Sequence, residues 1–127
     1  MMNLEFKTAL DAYSWGVQTK GWDKGEAGKF GKQQCLYAEN VTPEGRDVFC
    51  VYRSNIGKEQ KGKFKNTFKN QKNVLYEENI LNEPHKKRIG LEVEIFAFDV
   101  GINVYVYLGV YVVEEGGPSN VTIYKKI

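Results

Sequence analysis

The stretch Val104-Tyr105-Val106-Tyr107-Leu108-Gly109-Val110-Tyr111-Val112-Val113 decides the fold. β-Branched and aromatic residues fill it, as a strand packed on one or both faces requires, and a glycine inside such a run marks a bulge or a sharp bend. Working outward, residues 89–99 (IGLEVEIFAFD), 103–114 and 120–126 (NVTIYKK) form three consecutive strand candidates. Their separators, Val100-Gly101-Ile102 and Glu115-Gly116-Gly117-Pro118-Ser119, have hairpin-loop composition. Tyr105, Tyr107 and Tyr111 share odd positions, but a bulge at Gly109 changes the face that Tyr111 meets. These rings either floor a pocket or pack beneath a helix.

Upstream, residues 34–40 and 46–54 alternate apolar and polar side chains around Thr42-Pro43-Glu44-Gly45, which predicts an antiparallel hairpin. Residues 3–13 place Leu4, Ala9, Leu10 and Tyr13 near helical spacing behind an Asn3 cap, predicting a short helix that ends before Gly16. Residues 16–33 hold five glycines, four lysines and Trp22, the composition of a long loop in which that ring is either exposed for stacking or a plug over the sheet. Trp15 is expected in the core. Phe64 and Phe68, four residues apart, predict a helix over 64–80, before the break at Asn82-Glu83-Pro84. The sum is a single α+β domain, residues 1–127, built on a small, strongly curved, mostly antiparallel sheet. We expect a half-open barrel with one or two flanking helices.

A chain of 127 residues with 42% apolar and 13% aromatic content has material for a core without disulfide or metal support. Cys35 and Cys50 lie 15 apart, form no CxxC pair, and accompany a single histidine, His85, so classical zinc sites are excluded. No motif implies a cofactor. The opening MMNLEFKTALDAYSW carries Glu5 and Lys7 among its apolar residues and reads as neither a signal peptide nor a membrane span. A cytosolic protein with reduced thiols is therefore expected, in which the sequons at Asn40 and Asn120 carry no meaning.

The formal charge of +2 hides a polarised chain, because residues 58–88 carry nine cations and four acids, a local +5, which leaves −3 for the rest. Lysines interleaved with Phe64 and Phe68 suit phosphate attraction combined with base stacking, though a solvated face that keeps the chain soluble has the same composition. Residues 57–64, GKEQKGKF, fit GxxxxGK, yet Phe64 stands where a phosphate-binding loop needs a hydroxyl for magnesium. Nucleotide hydrolysis is disfavoured on that ground. His85, beside Lys86-Lys87-Arg88, reads as a surface group of lowered basicity, and the cysteines as buried small hydrophobes. No nucleophile with a base and no paired acids stand out, so a non-enzymatic protein is expected.

The strands from 91 onward, with Tyr107, Gly109 and Tyr111 in the order tyrosine, one residue, glycine, one residue, tyrosine, valine, resemble the closing strands of the SRA and broader PUA-like family. The similarity covers about 35 residues. It implies a DNA reader that turns a modified cytosine out of the duplex into an aromatic pocket, a type whose relatives occur beside nucleases or helicases in modification-dependent restriction. The longer glycine-rich and acidic signature of the best-known SRA members is absent.

Base flipping needs a stacking ring, a polar group at the base edge and cations on the backbone. The candidates are Trp22 or Tyr37 for stacking and Asp47 or Asp99 for the edge, with Lys24, Lys29, Lys58, Lys61, Lys63, Lys65 and Lys69 for phosphates. The leading expectation is a nucleic-acid-binding module, DNA before RNA, working alone or with an effector protein. The alternative is a cytosolic protein-binding inhibitor of antitoxin or immunity type, its basic face matched to an acidic partner.

Overall fold

Residues 48–51 and 95–98 are apolar at every position, which suits strands covered on both faces, and the strands that contain them lie side by side at the centre of the sheet. The computed structural model describes residues 4–31, 36–51 and 63–127. In chain order the elements are β1 (Glu5–Phe6), α1 (Ala9–Lys20), a 3₁₀ turn (Lys24–Glu26), α2 (Ala27–Gly31), β2 (Tyr37–Ala38), β3 (Asp47–Val51), β4 (Phe64–Lys69), β5 (Val74–Asn79), β6 (Glu92–Asp99), β7 (Val104–Glu114) and β8 (Val121–Lys126). The fold is α+β. Among the described residues the eight strands form one sheet in the order β2-β3-β6-β7-β8-β5-β4, with β1 added to β7. Every pairing is antiparallel except β3 with β6.

β7 organises the sheet. Its first half pairs with β1 and its second half with β8, while β6 runs along the other edge. The expected bulge is present: Ile95 faces Gly109 and Phe96 faces Tyr107, so Leu108 has no partner across the ladder, and Gly109 adopts φ +105°. That backbone strongly favours glycine. The extra residue also inverts the strand, sending Tyr105 and Tyr107 toward the helices and Tyr111 to the opposite face.

The two faces bury different cores. On one, α1 and α2 cover Val48, Cys50, Phe96, Phe98 and Tyr105 with Tyr13, Trp22 and Phe30. On the other, Phe49, Leu75, Ile95, Tyr111 and Tyr124 pack on one another. Phe49 and Tyr124 approach to 5.8 Å between ring centroids although β6 and β7 separate their strands.

The helix predicted over 64–80 is instead the β4–β5 hairpin. A spacing of four satisfies both readings, because an even separation keeps Phe64 and Phe68 on one face of a strand as well. The connection, residues 70–73, uses three successive left-handed residues, Asn70, Gln71 and Lys72 (φ 54°, 55° and 68°). Tyr111 donates its hydroxyl to the Lys72 carbonyl and holds the turn against the sheet. Replacing Gln71 with glycine relieves one disfavoured conformation at some cost in chain entropy, and is expected to raise stability by about 0.5 kcal/mol in urea unfolding.

The first helix also departs from expectation. Thr8, not Asn3, caps it by accepting the Asp11 N–H at 3.0 Å, and it runs through Gly16 to a left-handed Gly21. Gly16 lies inside the helix because the Trp22 ring rests on it. Lys20 and Arg46 flank the fully buried Glu94 on this side, 3.4 and 3.8 Å away, and the Tyr107 hydroxyl donates to Glu94 at 2.6 Å. Among the described residues no helix is long and apolar enough to cross a membrane. Asn3, Cys35, Lys58, Lys61 and the glycine-containing stretch 57–62 lie outside the described residues.

Candidate functional site

Alternation along β5 and β8 decides what faces the side away from the helices. Leu75, Glu77 and Asn79 share that face with Thr122 and Tyr124, because Glu77 is registered to Thr122 and Leu75 to Tyr124. Beside them the segment 80–91 crosses back toward β6, carrying Glu83, His85, Lys86, Lys87 and Arg88. Between these elements lies an open cleft of about 350 Å³, in the range of small-ligand sites. Its aromatic walls are Tyr37, Phe64 and Tyr124, and its cations are Lys63, Lys86, Lys87 and Arg88.

Two polar groups fix the walls. Asp47, buried at the start of β3, accepts the Tyr37 hydroxyl at 2.6 Å and the Asn40 N–H at 2.8 Å, and it forms an ion pair with Arg88. Burial, with the Asp47 carboxylate as hydrogen-bond acceptor, pushes the Tyr37 phenol well above its ordinary range. His85 meets Thr122 Oγ1 through Nδ1 at 2.5 Å, and its ring stands edge-on to Phe64. Nε2 of His85 is buried and has no hydrogen-bond partner among the described residues. Burial first, and Lys87 second, lower the basicity of the ring. The predicted direction holds, but the surface position does not: His85 is half-buried in the cleft wall.

Glu77 sits in the cleft and, among the described residues, has a single hydrogen bond, from the Tyr124 hydroxyl at 3.2 Å. Burial raises its pKa to about 7 against the opposing pull of that hydroxyl, and burial lifts the Tyr124 phenol as well. At the mouth Lys63 pairs with Glu83 at 3.3 Å. Lys87 donates to the Gly116 and Pro118 carbonyls at 2.8 and 3.0 Å and so ties the segment to the β7–β8 loop. Lys86 is exposed.

Of the residues singled out from sequence, the structure brings Tyr37 and Lys63 to this cleft, with Asp47 buried behind the wall that Tyr37 and Arg88 form. Asp99 is elsewhere: Asp47 is registered to Val93, and Asp99 lies six residues further along β6, roughly 20 Å away. There the Gly101 N–H and Lys72 hold its carboxyl below the usual range. Trp22 is not an exposed loop ring. It is only 3% exposed, against Tyr13, Trp15 and Tyr107, because it folds back over Gly16. Lys24 is exposed on the helical layer, and Lys29 there pairs with Glu26. Lys65 and Lys69 are exposed on β4 at the far end of the strand order, with Lys69 over the Tyr76 ring at 4.9 Å. Lysines on a terminal strand also discourage edge-to-edge association.

Sequence reading missed Glu77, Arg88, Thr122 and Tyr124 as site residues and set His85 aside as a surface group. The signal was the two-residue period of VLYEEN, which places Leu75, Glu77 and Asn79 together once the segment is read as a strand. Among the described residues no three His, Cys, Asp or Glu side chains are grouped to hold a metal ion. No protein-family model matches the chain, and no curated protein matches it in sequence.

Proposed function

We propose that the protein is a nucleic-acid-binding module, with DNA as its ligand, that receives one unstacked base in the cleft between Tyr37, Phe64 and Tyr124. The observation that carries this reading is the cleft itself: aromatic walls for a flat ring, buried polar groups for its edge, and Lys63, Lys86 and Arg88 around it for the adjoining phosphates. We read the sheet as a half-open, PUA/SRA-like barrel, which the 5.8 Å approach of Phe49 and Tyr124 across two intervening strands supports. Asp47 positions the wall in this reading and does not meet the base, since the Tyr37 hydroxyl, the Asn40 N–H and Arg88 occupy it.

Fluorescence anisotropy of labelled duplexes, unmodified or carrying 5-methyl- or 5-hydroxymethylcytosine, tests the proposal at two salt concentrations. Binding is expected to weaken steeply with salt. In the Lys63→Glu/Lys86→Glu variant the slope of log K against log salt is expected to fall by about two, one for each lost phosphate contact. A folded variant that binds as the parent does, or a parent that retains no duplex at low salt, overturns the proposal. The second of these outcomes favours a protein partner for the basic rim.

A further inference from the structure

We propose that Trp15, Tyr107 and Glu94 form a cage for a methylated ammonium group, and that Lys20 of the chain itself occupies this cage in the structure. The cage lies on the helical face of the sheet, on the opposite side from the cleft, and stands independently of the nucleic-acid reading.

Three elements build it. Lys20 ends α1, and its Nζ stands over the Tyr107 ring at 5.3 Å and over the Trp15 ring at 5.9 Å from the centroids. The two rings lie 4.9 Å apart and are tilted by 54°, so two aromatic faces meet at one cation. The floor is Glu94, on β6, which is fully buried and lies 3.4 Å from the same Nζ. Trp22 packs against both rings and fixes their positions. A cation set over aromatic faces, with a carboxylate beneath, is the arrangement that binds organic ammonium ions.

The distances suit a methylated cation better than the bare one that is present. Atoms in contact sit roughly 3.5–4.0 Å apart, and a methyl carbon stands about 1.5 Å from its nitrogen. A nitrogen at 5.3 and 5.9 Å from the centroids therefore leaves, between itself and each ring, the depth of one methyl group. The polar side agrees. The 3.4 Å approach to Glu94 is longer than the roughly 2.7–2.9 Å of a charge-assisted hydrogen bond. Glu94 Oε1 already accepts the Tyr107 hydroxyl at 2.6 Å, and Oε2 has no hydrogen-bond partner among the described residues. A quaternary ammonium has no N–H to satisfy and takes only charge from the carboxylate.

Charge favours occupation once Lys20 withdraws. Arg46 is shared among Glu44, Glu92 and Glu94, and these four groups together carry a formal −2. Lys20 has a route out, since its side chain is 33% exposed and its amine is strongly hydrated in water. The path of its stem marks the mouth through which a cation enters.

Tryptophan fluorescence reads the site, because Trp15 forms one wall. Titration of Lys20→Ala with tetramethylammonium chloride, against sodium chloride at equal ionic strength, is expected to give a saturable change. The affinity is expected to exceed that of the parent by about tenfold, because the parent's own lysine competes. Ammonium chloride is expected to bind about tenfold more weakly than tetramethylammonium, and Lys20→Ala/Glu94→Gln to show no saturable change. A response no different from that to sodium chloride, or ammonium binding as tightly as tetramethylammonium, overturns the proposal.

The parent supplies a test that needs no substitution. Saturating tetramethylammonium is expected to displace Lys20 into water and to raise its rate of acetylation by acetic anhydride several-fold, read at that residue by mass spectrometry. An unchanged rate overturns the proposal, whether or not Lys20→Ala folds. A peptide carrying one trimethyl-lysine separates the sources of the group. Tighter binding than tetramethylammonium, absent from the unmethylated peptide, supports a protein side chain as the ligand, and equal affinity supports a small free ion.

Discussion

Gly16→Ala is expected to destabilise the protein by about 3 kcal/mol, although alanine is the better helix former. Propensity alone favours the substitution by about 1 kcal/mol in a helix interior. Against this, a Cβ at position 16 comes 1.9 Å from Trp22 Cε3 and 2.2 Å from two further ring carbons. Carbon atoms in contact prefer roughly 3.5–4.0 Å, so the ring must leave its site or the helix must shift. Neither movement is cheap. Tyr13, Trp15 and Tyr107 surround the ring at centroid distances of 5.4, 6.0 and 6.4 Å, and the backbone N–H of Trp22 donates to the Gly16 carbonyl. Urea unfolding should show a lower midpoint with an unchanged slope. A midpoint equal to or above that of the parent would falsify this account of the helical layer.

Asp47→Ala is expected to cost about 2–3 kcal/mol and to weaken the proposed DNA binding in the same variant. Most of the loss comes from the neutral donors, because the Asn40 N–H and the Tyr37 hydroxyl lose the acceptor that satisfies them in a partly buried site. The ion pair contributes less than its geometry suggests. Arg88 has 44% of its side chain exposed, and water rehydrates it once Asp47 is gone. A double-mutant cycle with Arg88→Ala should therefore return a coupling of no more than about 1 kcal/mol. A coupling of 3 kcal/mol or more would place the stabilisation in the charge pair instead. The binding defect follows from the same geometry, since Tyr37 and Arg88 form the cleft wall that Asp47 holds.

The strands after residue 90 were legible because their chemistry is local. Alternation, turn residues and a glycine in a strand specify β6, β7, β8 and the bulge without knowledge of anything distant. The β4–β5 hairpin was not legible in the same way. Its lysines and asparagines have no strong strand preference, and the spacing of Phe64 and Phe68 is common to both structures. Trp22 failed for another reason: a glycine in a helical pattern reads as a breaker until the ring that requires it is seen. The cleft was half legible. Tyr37, Lys63 and the Asp47 behind them emerged from sequence, whereas Glu77 was hidden because a helical reading of 64–80 separates it from the face that Leu75 and Asn79 share.

The position of β8 carries a consequence for how the chain acquires its fold. Among the described residues β5 joins the rest of the sheet only through β8, so the β4–β5 hairpin, although formed from residues 64–79, has no place to dock until residues 121–126 are in position. Every assembly route must therefore close a long loop late, a topology that favours slow folding. Until that closure the inner side of the hairpin, including Phe68 and Leu75, remains uncovered. A chain stalled at this stage presents an unfinished edge to its neighbours, and a holdase that shelters it would protect the yield of native protein.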